Sequence, residues 1–256
     1  MRYWYQQPHA LLADYVRTVL VADMMADSGD NRVPLVMAGM PAVVAQLTKD
    51  GTTGKSITLT LFGSPVPPEF APDESHAIVI AYCFKPFVLA GLFDIQARKI
   101  AKGALDVDLW NKEKSAHLKS RLSISRKPSD LIDAMDVFFI NLLDEQRHAC
   151  AAIRIATDKM MLDSGAECLN QLPDDLNITK RTFQRMFKKY VGISPTEYRR
   201  ICQFQQSFHQ VRSRQFEKLS DVAEDNGFAD QSHFVRSFRE FSQTTPGKYL
   251  DEGLHK

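Results

Sequence analysis

Two kinds of apolar pattern divide the chain. In the first half, short apolar runs predict β-strands at residues 42–47, 56–62 and 77–84. Apolar residues at helical spacing across residues 11–19 predict a short amphipathic helix before them. Pro86 permits a further helix through Phe93, because proline fits the first turn of a helix.

The pattern changes after residue 128. Pro128-Ser129-Asp130 is a typical helix start, and the residues that follow form a wide apolar stripe. The stripe consists of Leu131, Met135, Phe138, Phe139, Leu142 and Leu143. Strand signals disappear beyond residue 145, so we predict an α+β protein. Its mixed N-terminal domain has a β-sheet and flanking helices, and its C-terminal domain is all helical.

The C-terminal half contains a repeat. TKRTFQRMFKKYVGISP at 179–195 and DQSHFVRSFREFSQTTP at 230–246 place equivalent residues 51 positions apart. The equivalent pairs are Phe183 and Phe234, Arg185 and Arg236, Phe187 and Phe238, Pro195 and Pro246, and Tyr198 and Tyr249. Each copy follows a short helical stretch, at 166–176 and 218–226. A short helix, a turn and a second helix, present twice, predict two helix-turn-helix motifs.

Each second helix is predicted to have a buried and an exposed face. Its aromatic residues recur at helical spacing and predict the buried face. These are Phe183, Met186, Phe187 and Tyr190 in the first copy, and Phe234, Phe238 and Phe241 in the second. Thr179 and Asp230 are the predicted N-caps, and Gly192 is a left-handed stop after the first of these helices.

Positive charge is concentrated around the first copy. Residues 179–214 contain nine basic side chains and a single acid, a local net charge of +8 in a chain whose formal charge is +1. Such a helix would release counterions from DNA phosphates, and exposed Arg and Gln carry donors suited to guanine and adenine edges. A charged face is often merely solvated, but solvation gives no reason for two copies of the spacing.

Composition narrows the classes of protein to which the chain could belong. Apolar residues make up 44% and charged residues 25% of the chain, as in globular proteins with a core. The four cysteines form no Cys-x-x-Cys pair, which favours reduced thiols in the cytoplasm and opposes a zinc site. No signal peptide is visible, and the most apolar run, 77–93, is interrupted and too short to span a membrane. We expect no metal, no cofactor and no enzymatic activity, because the histidines are isolated and Cys83 suits a buried strand.

Residues 150–250 resemble the C-terminal DNA-binding domain of AraC/XylS transcription regulators. The strongest motif is VAEDNGFADQSHFVRSF at 222–238, followed by Thr245-Pro246, and the first copy agrees through FQRMF at 183–187 and GISP at 192–195. The resemblance implies two helix-turn-helix subdomains within residues 146–256, at about 166–191 and 218–242. A connecting helix at about 195–211 would join them.

The resemblance also implies roles for individual residues. Each second helix would enter one of two successive major-groove segments. The implied base-reading residues are Arg181, Gln184, Arg185, Gln231, Ser232, Val235 and Arg236. Those implied to contact phosphates are Lys180, Lys188, Lys189 and Arg239. Three positions depart from the family pattern: Pro173 replaces a small residue, Gln243 replaces a glycine and Gln203 replaces an arginine.

Residues 1–145 resemble, through looser motifs, the sensor-like domain that precedes this module in some family members. The similar features are Pro8, Leu12 and Tyr15-Val16, Arg32-Val33-Pro34, 42–47, Leu61-Phe62-Gly63, 77–86 and 105–110. Two hypotheses follow for this half. It binds a small effector in the strand region, with helix 128–145 relaying the change, or it forms a homodimer through the stripe of Leu131, Met135, Phe138 and Leu142.

The whole-chain hypothesis is a cytoplasmic, sequence-specific regulator whose partner is double-stranded DNA. The resemblance adds RNA polymerase as a second partner, and we expect no membrane association. The competing hypothesis is a protein-interaction module derived from helix-turn-helix units that has lost specific DNA binding.

Overall fold

The chain folds into one antiparallel sheet followed by helices in this computed structural model. The structure describes residues 2–23, 40–50, 54–63, 77–93, 95, 103–125, 127–145 and 151–251. Within these ranges the order of elements confirms the predicted α+β fold, with the sheet in the first half and helices alone between 151 and 251. His76, His148 and Cys150 lie outside the described residues.

The sheet has six strands in the order β1-β2-β5-β3-β4-β6, and every adjacent pair is antiparallel. The strands are β1 (Arg2–Gln6), β2 (Val16–Asp23), β3 (Ala42–Asp50), β4 (Gly54–Phe62), β5 (Ala77–Phe84) and β6 (Ala104–Asp106). The three predicted strands correspond to β3, β4 and β5. Strands β1 and β6 were not predicted.

The helix predicted at residues 11–19 is wrong. Only Ala10–Leu12 is helical, as a single 3-10 turn, and β2 follows it. In β2, Leu20, Val21 and Ala22 are all fully buried, because the strand lies between β1 and β5 and both of its faces are covered. A strand buried on both faces has a continuous apolar run, and such a run does not distinguish strand from helix by periodicity.

Four helices of the first half lie within the described residues: α1 (Val88–Leu92), α2 (Val107–Trp110), α3 (Lys112–Ile124) and α4 (Pro128–Glu145). Helix α4 packs its apolar stripe onto the sheet, where Phe139 contacts the rings of Tyr82 and Phe84. The Tyr82 hydroxyl donates to Asp136 Oδ1 at 2.7 Å, and burial raises the pKa of this carboxyl.

The stripe proposed for dimerisation is part of this intramolecular core. Leu131, Met135, Phe138 and Leu142 are between 0 and 9% exposed. No apolar stripe is therefore left on this face of α4 for a second copy. The dimerisation hypothesis through these residues is wrong, because they pack within the core of their own chain.

The second half consists of α5 (Ala151–Leu162), α6 (Ala166–Asp175), α7 (Lys180–Tyr190), α8 (Pro195–Ser213), α9 (Leu219–Asp225), α10 (Gln231–Ser242) and α11 (Pro246–Asp251). Helix α8 begins with a capping box, in which Ser194 and Glu197 satisfy each other's backbone N–H groups. Arg214, the residue that follows its last turn, adopts a left-handed conformation with φ 53°.

Two apolar cores divide the helices between them. The core of the first half continues through α5 to Phe183 and Phe187 of α7, and ends at Cys202 of α8. A second core begins at Phe204 of α8 and holds α9, α10 and α11. Helix α8 therefore supplies consecutive turns to two separate hydrophobic cores.

Ion pairs add to the contact between the sheet and the helices that follow. Lys85 Nζ, after β5, lies 3.4 Å from an Asp158 carboxylate oxygen on α5, and Arg154 of α5 lies 3.7 Å from Asp14. Arg212, near the end of α8, lies over the Tyr5 ring at 5.1 Å from its centroid.

No helix in the described part of the chain is long and apolar enough to cross a membrane.

Candidate DNA-binding interface

The turns between α6 and α7 and between α9 and α10 have the same backbone design. Asn177 and Gly227 are both left-handed, with φ 56° and 68°. In each turn the next amide reaches back five residues, from Ile178 to the Pro173 carbonyl and from Phe228 to the Ala223 carbonyl, both at 2.9 Å. This is the Schellman ending of a helix, which turns the chain sharply toward the next helix.

Pro173 is accommodated within α6. The helix continues two residues beyond it, and Pro173 itself is buried. Proline lacks the N–H that would bond within the helix, but its carbonyl is used by the turn. The departure from the family pattern therefore leaves the geometry of the first turn equivalent to that of the second.

Both second helices begin and end as predicted. The Thr179 hydroxyl accepts from the Thr182 amide at 3.2 Å, and the Asp230 carboxylate accepts from the His233 amide at 2.7 Å. Gly192 follows α7 with φ 91°, and Gln243 follows α10 with φ 59°. Gln243 adopts the left-handed conformation despite its Cβ, at a cost of about 1 kcal/mol.

Helix α7 separates its two faces clearly. Phe183 and Phe187 are buried and Met186 and Tyr190 are half-buried against the same core. All the predicted DNA-contacting side chains of this helix are exposed: Lys180, Arg181, Gln184, Arg185, Lys188 and Lys189. Lys189 lies over the neighbouring Tyr190 ring, with Nζ 5.1 Å from its centroid.

Helix α10 presents a similar but less basic face. Phe234 and Phe238 are buried, and Phe241 stacks on Phe204 with ring centroids 5.0 Å apart. The exposed predicted contacts are Gln231, Ser232, Arg236 and Arg239. Val235 differs from the rest because it is half-buried and packs against the second core.

The charge at the start of α7 opposes the helix dipole. Neither α7 nor α10 has an acid in its first turn, and α7 begins with Lys180 and Arg181. Cations at a helix N-terminus are destabilising, because the exposed N–H groups there already carry partial positive charge. Such an end is well suited to an anionic partner.

A groove of about 370 Å³ runs beside this charged end, between α6, α7 and the start of α8. Lys180, Gln184 and Lys188 form one wall, and its other polar residues are Asn170, Ser194 and Thr196. Sequence reasoning did not single out these three side chains. They come from α6 and from the start of α8, and only the packing of α8 against the first unit brings them together.

The contacts of Gln203 explain why this position departs from the family pattern. It is 1% exposed, and its Nε2 donates to the carbonyls of Asn226 and Gly227 at 3.2 and 3.0 Å. The side chain thus caps the turn that leads into α10. An amide here performs a task that needs a donor but no charge.

Among the candidate residues for other chemistry that the structure describes, Cys83 and His117 lie in different elements. Burial raises the pKa of Cys83 to about 12, so its thiol is protonated at neutral pH, as predicted for a small buried hydrophobe. His117 is exposed on α3. The described residues contain no group of three or more His, Cys, Asp or Glu arranged to hold a metal ion.

Two helix-turn-helix units with exposed basic recognition helices define a DNA-binding domain, and comparison with known proteins agrees. Residues 172–252 match the family of helix-turn-helix domains. The sequence resemblance to the AraC-type helix-turn-helix domain is confirmed for these residues. No curated protein matches the chain.

Solved structures of ToxT from Vibrio cholerae are similar to the chain over most of its length. An apo variant from strain SCE256 is 14% identical, with 96% of this chain and 99% of that chain covered and a TM-score of 0.46. Wild-type ToxT from the same strain, bound to an unsaturated fatty acid, is 15% identical, with 91% and 94% covered and a TM-score of 0.46. Because these TM-scores are below 0.5, the class of the domain depends on the family match and on the geometry of the two units.

Proposed function

We propose that the chain is a sequence-specific transcription regulator that inserts α7 and α10 into two successive major-groove segments of one DNA duplex. The observation that carries this proposal is the exposure of ten of the eleven candidate contact residues on two helices with equivalent turns and caps. Buried or internally paired side chains would be unavailable to DNA, whereas these are presented on the faces opposite the cores.

The side chains divide into two roles. Arg181, Gln184 and Arg185 in α7, with Gln231, Ser232 and Arg236 in α10, carry donors or acceptors for base edges. Val235 would contribute an apolar contact such as that with a thymine methyl group, limited by its packing against the core. Lys180, Lys188, Lys189 and Arg239 would neutralise phosphates and set the position of the protein on the duplex.

The lysine-lined groove extends the phosphate role. The Asn170 amide and the Ser194 and Thr196 hydroxyls lie along the same groove as Lys180 and Lys188. Uncharged donors of these types commonly contact phosphate oxygens. A DNA strand whose phosphates lie along this groove would keep the N-terminal half of α7 directed at the bases.

The first half of the chain is proposed to regulate the DNA-binding part. Support comes from the core that continues from the sheet into α7, and from the Lys85–Asp158 and Arg154–Asp14 ion pairs. We propose a small effector as the signal that regulates DNA binding, since the stripe proposed for dimerisation is buried. A cytoplasmic location and contact with RNA polymerase belong to the same proposal.

Selection of bound sequences from a random duplex library, with the full chain, tests this function. We expect one enriched motif with two half-sites on the same face of the duplex, and affinity that falls steeply with salt. Enrichment of no motif, together with no binding of duplex at low salt, would support the protein-interaction alternative instead. The full chain is used because α7 shares its core with the sheet.

A further inference from the structure

Helix α8 carries three glutamines along one side, at positions 203, 206 and 210. Spacings of three and four residues place side chains next to each other on a helix surface. Each of the three uses its amide group to hold a segment outside α8. None of them is among the residues that the sequence motifs implicate in DNA contact.

Gln206 holds the first unit. Its Nε2 donates to the carbonyls of Met161 and Leu162 at 3.0 and 3.2 Å, and its Oε1 accepts from the Ser164 hydroxyl at 2.6 Å. These partners form the junction between α5 and α6. Arg199, two turns earlier, donates to the Ser164 carbonyl at 3.2 Å and reinforces the same junction.

Gln203 and Gln210 hold the second unit. Gln203 binds the carbonyls of Asn226 and Gly227, as described above. Gln210 donates to an Asp225 carboxylate oxygen and accepts from the Asn226 side-chain amide, both at 2.7 Å. Arg200 adds an ion pair with Glu240 of α10.

Hydrogen bonds constrain α8 differently from its apolar contacts. Apolar packing is not directional, so the aromatic clusters on either side permit small rotations of each unit about α8. Hydrogen bonds weaken steeply when they are bent or stretched, and each amide here has two or more partners. A rotation of either unit would therefore break several bonds at once.

We propose that this row of glutamines fixes the rotation of the two recognition helices relative to each other. Gln206 is the positioning residue for the first unit, and Gln203 and Gln210 are those for the second. The spacing between the two half-sites thereby becomes part of the specificity of the protein, without any of the three side chains touching DNA. This inference rests on the proposed function.

The experiment measures how strictly the protein requires one spacing. The two half-sites selected by the wild-type chain are joined by spacers of the selected length, or longer or shorter by one or two base pairs. Binding of each duplex is measured for the full chain and for the variants Gln203→Met and Gln206→Met. Methionine keeps the length of the side chain and removes its donor. His209→Met, at an exposed position of α8, is the matched control.

We expect each glutamine variant to reduce the preference for the selected spacing by about three- to tenfold, the effect of losing a typical hydrogen bond. Base preference within each half-site should stay unchanged, and His209→Met should behave as the wild type. A purely structural role would instead lower binding equally for all spacers, and that outcome overturns the proposal. Unchanged spacing preference in both variants overturns it as well.

Two further points keep the test decisive. Gln206 is only partly buried, so Gln206→Met carries the test should Gln203→Met fail to fold. The two proposals also fail separately. A wild-type chain that binds no duplex contradicts the proposed function. A wild-type chain that binds with a strict spacing shared by both variants contradicts only the role of the glutamines.

Discussion

The two helix-turn-helix units share a backbone design but differ in charge and in surroundings. Residues 166–191 contain five basic and three acidic side chains, whereas residues 218–242 contain three basic and five acidic. The first unit shares its core with the sheet, and the second has a core of its own with the later turns of α8. The two units therefore share the geometry of their turns and differ in charge and in the core that holds them.

The difference assigns separate tasks to the units. In the proposed function, the first unit would carry the electrostatic attraction for the duplex, and the core that it shares with the sheet would transmit a change in the sheet to α7. The second unit, with net negative charge, would gain little from phosphate neutralisation and would depend on the contacts of its exposed α10 side chains. Four sets of variants test this division, in order of decreasing expected effect.

The largest effect should come from the two cores. Phe187→Ala and Phe238→Ala each remove a fully buried ring, at a cost of about 3–5 kcal/mol in the free energy of unfolding. Both tryptophans, Trp4 and Trp110, lie in the first half of the chain. Phe187→Ala should therefore shift the unfolding transition detected by tryptophan fluorescence. Phe238→Ala should shift the transition detected by circular dichroism and leave the fluorescence transition in place.

Identical shifts of the fluorescence transition by these two variants would contradict the separation of the cores. Phe204→Ala serves as a second variant of the core that α8 shares with α10. It should behave as Phe238→Ala does, because both rings belong to the same cluster, 5.6 Å apart.

Base recognition should give the next largest effect. Arg185→Ala and Arg236→Ala occupy equivalent positions, and each should lose about 1–3 kcal/mol of binding to the selected operator. Each should relax base preference at one position, in a different half-site. Competition binding against a set of single-base operator variants measures both quantities. Loss of affinity with base preference intact in both half-sites would remove the base-reading role.

The left-handed residues after the recognition helices should respond in opposite directions. Gln243→Gly should stabilise the protein by about 1 kcal/mol, because glycine adopts φ 59° without strain from a Cβ. Gly192→Ala should destabilise it by a similar amount, since φ there is 91°. Urea unfolding followed by circular dichroism compares the two. Equal signs would show that the two helix ends are not equivalent.

The smallest effect should be on the salt dependence of binding. Lys188→Ala should weaken binding to all sequences alike and reduce the slope of log K against log salt by about one unit. Titrations of operator and random duplex at several salt concentrations measure it. A loss confined to the operator, or the same change in base preference as Arg185→Ala, would contradict the phosphate role of Lys188.

Much of the second half could be predicted because its signals are local. The spacing of Phe183 and Phe187, the N-caps Thr179 and Asp230 and the repeat of 51 residues each depend on a few neighbouring positions. A helix with one buried face imprints its period on the sequence. The exposure of ten of the eleven candidate contact residues followed from the same period, and Val235 is the exception.

The first half was harder, for a physical reason. Strand β2 is buried on both faces, so its apolar residues carry no period of two, and their spacing also fits a helix. Strand β1, which pairs with β2, is short and only partly buried. The groove residues Asn170, Ser194 and Thr196 were missed because their proximity is a tertiary property. The same applies to the bonds of Gln203, Gln206 and Gln210.

Sharing of α8 between two cores restricts how this chain can change in length. One residue inserted between Cys202 and Phe204 would rotate Phe204 and the whole second unit by about 100° about the helix axis relative to the first unit, so α10 would no longer keep its direction relative to α7. Seven extra residues would nearly restore the phase, but would displace the second unit by about 10 Å, close to three base pairs. Natural variants that recognise operators of other lengths should therefore differ here by whole pairs of turns, and a library of such insertions offers a direct route to new target sites.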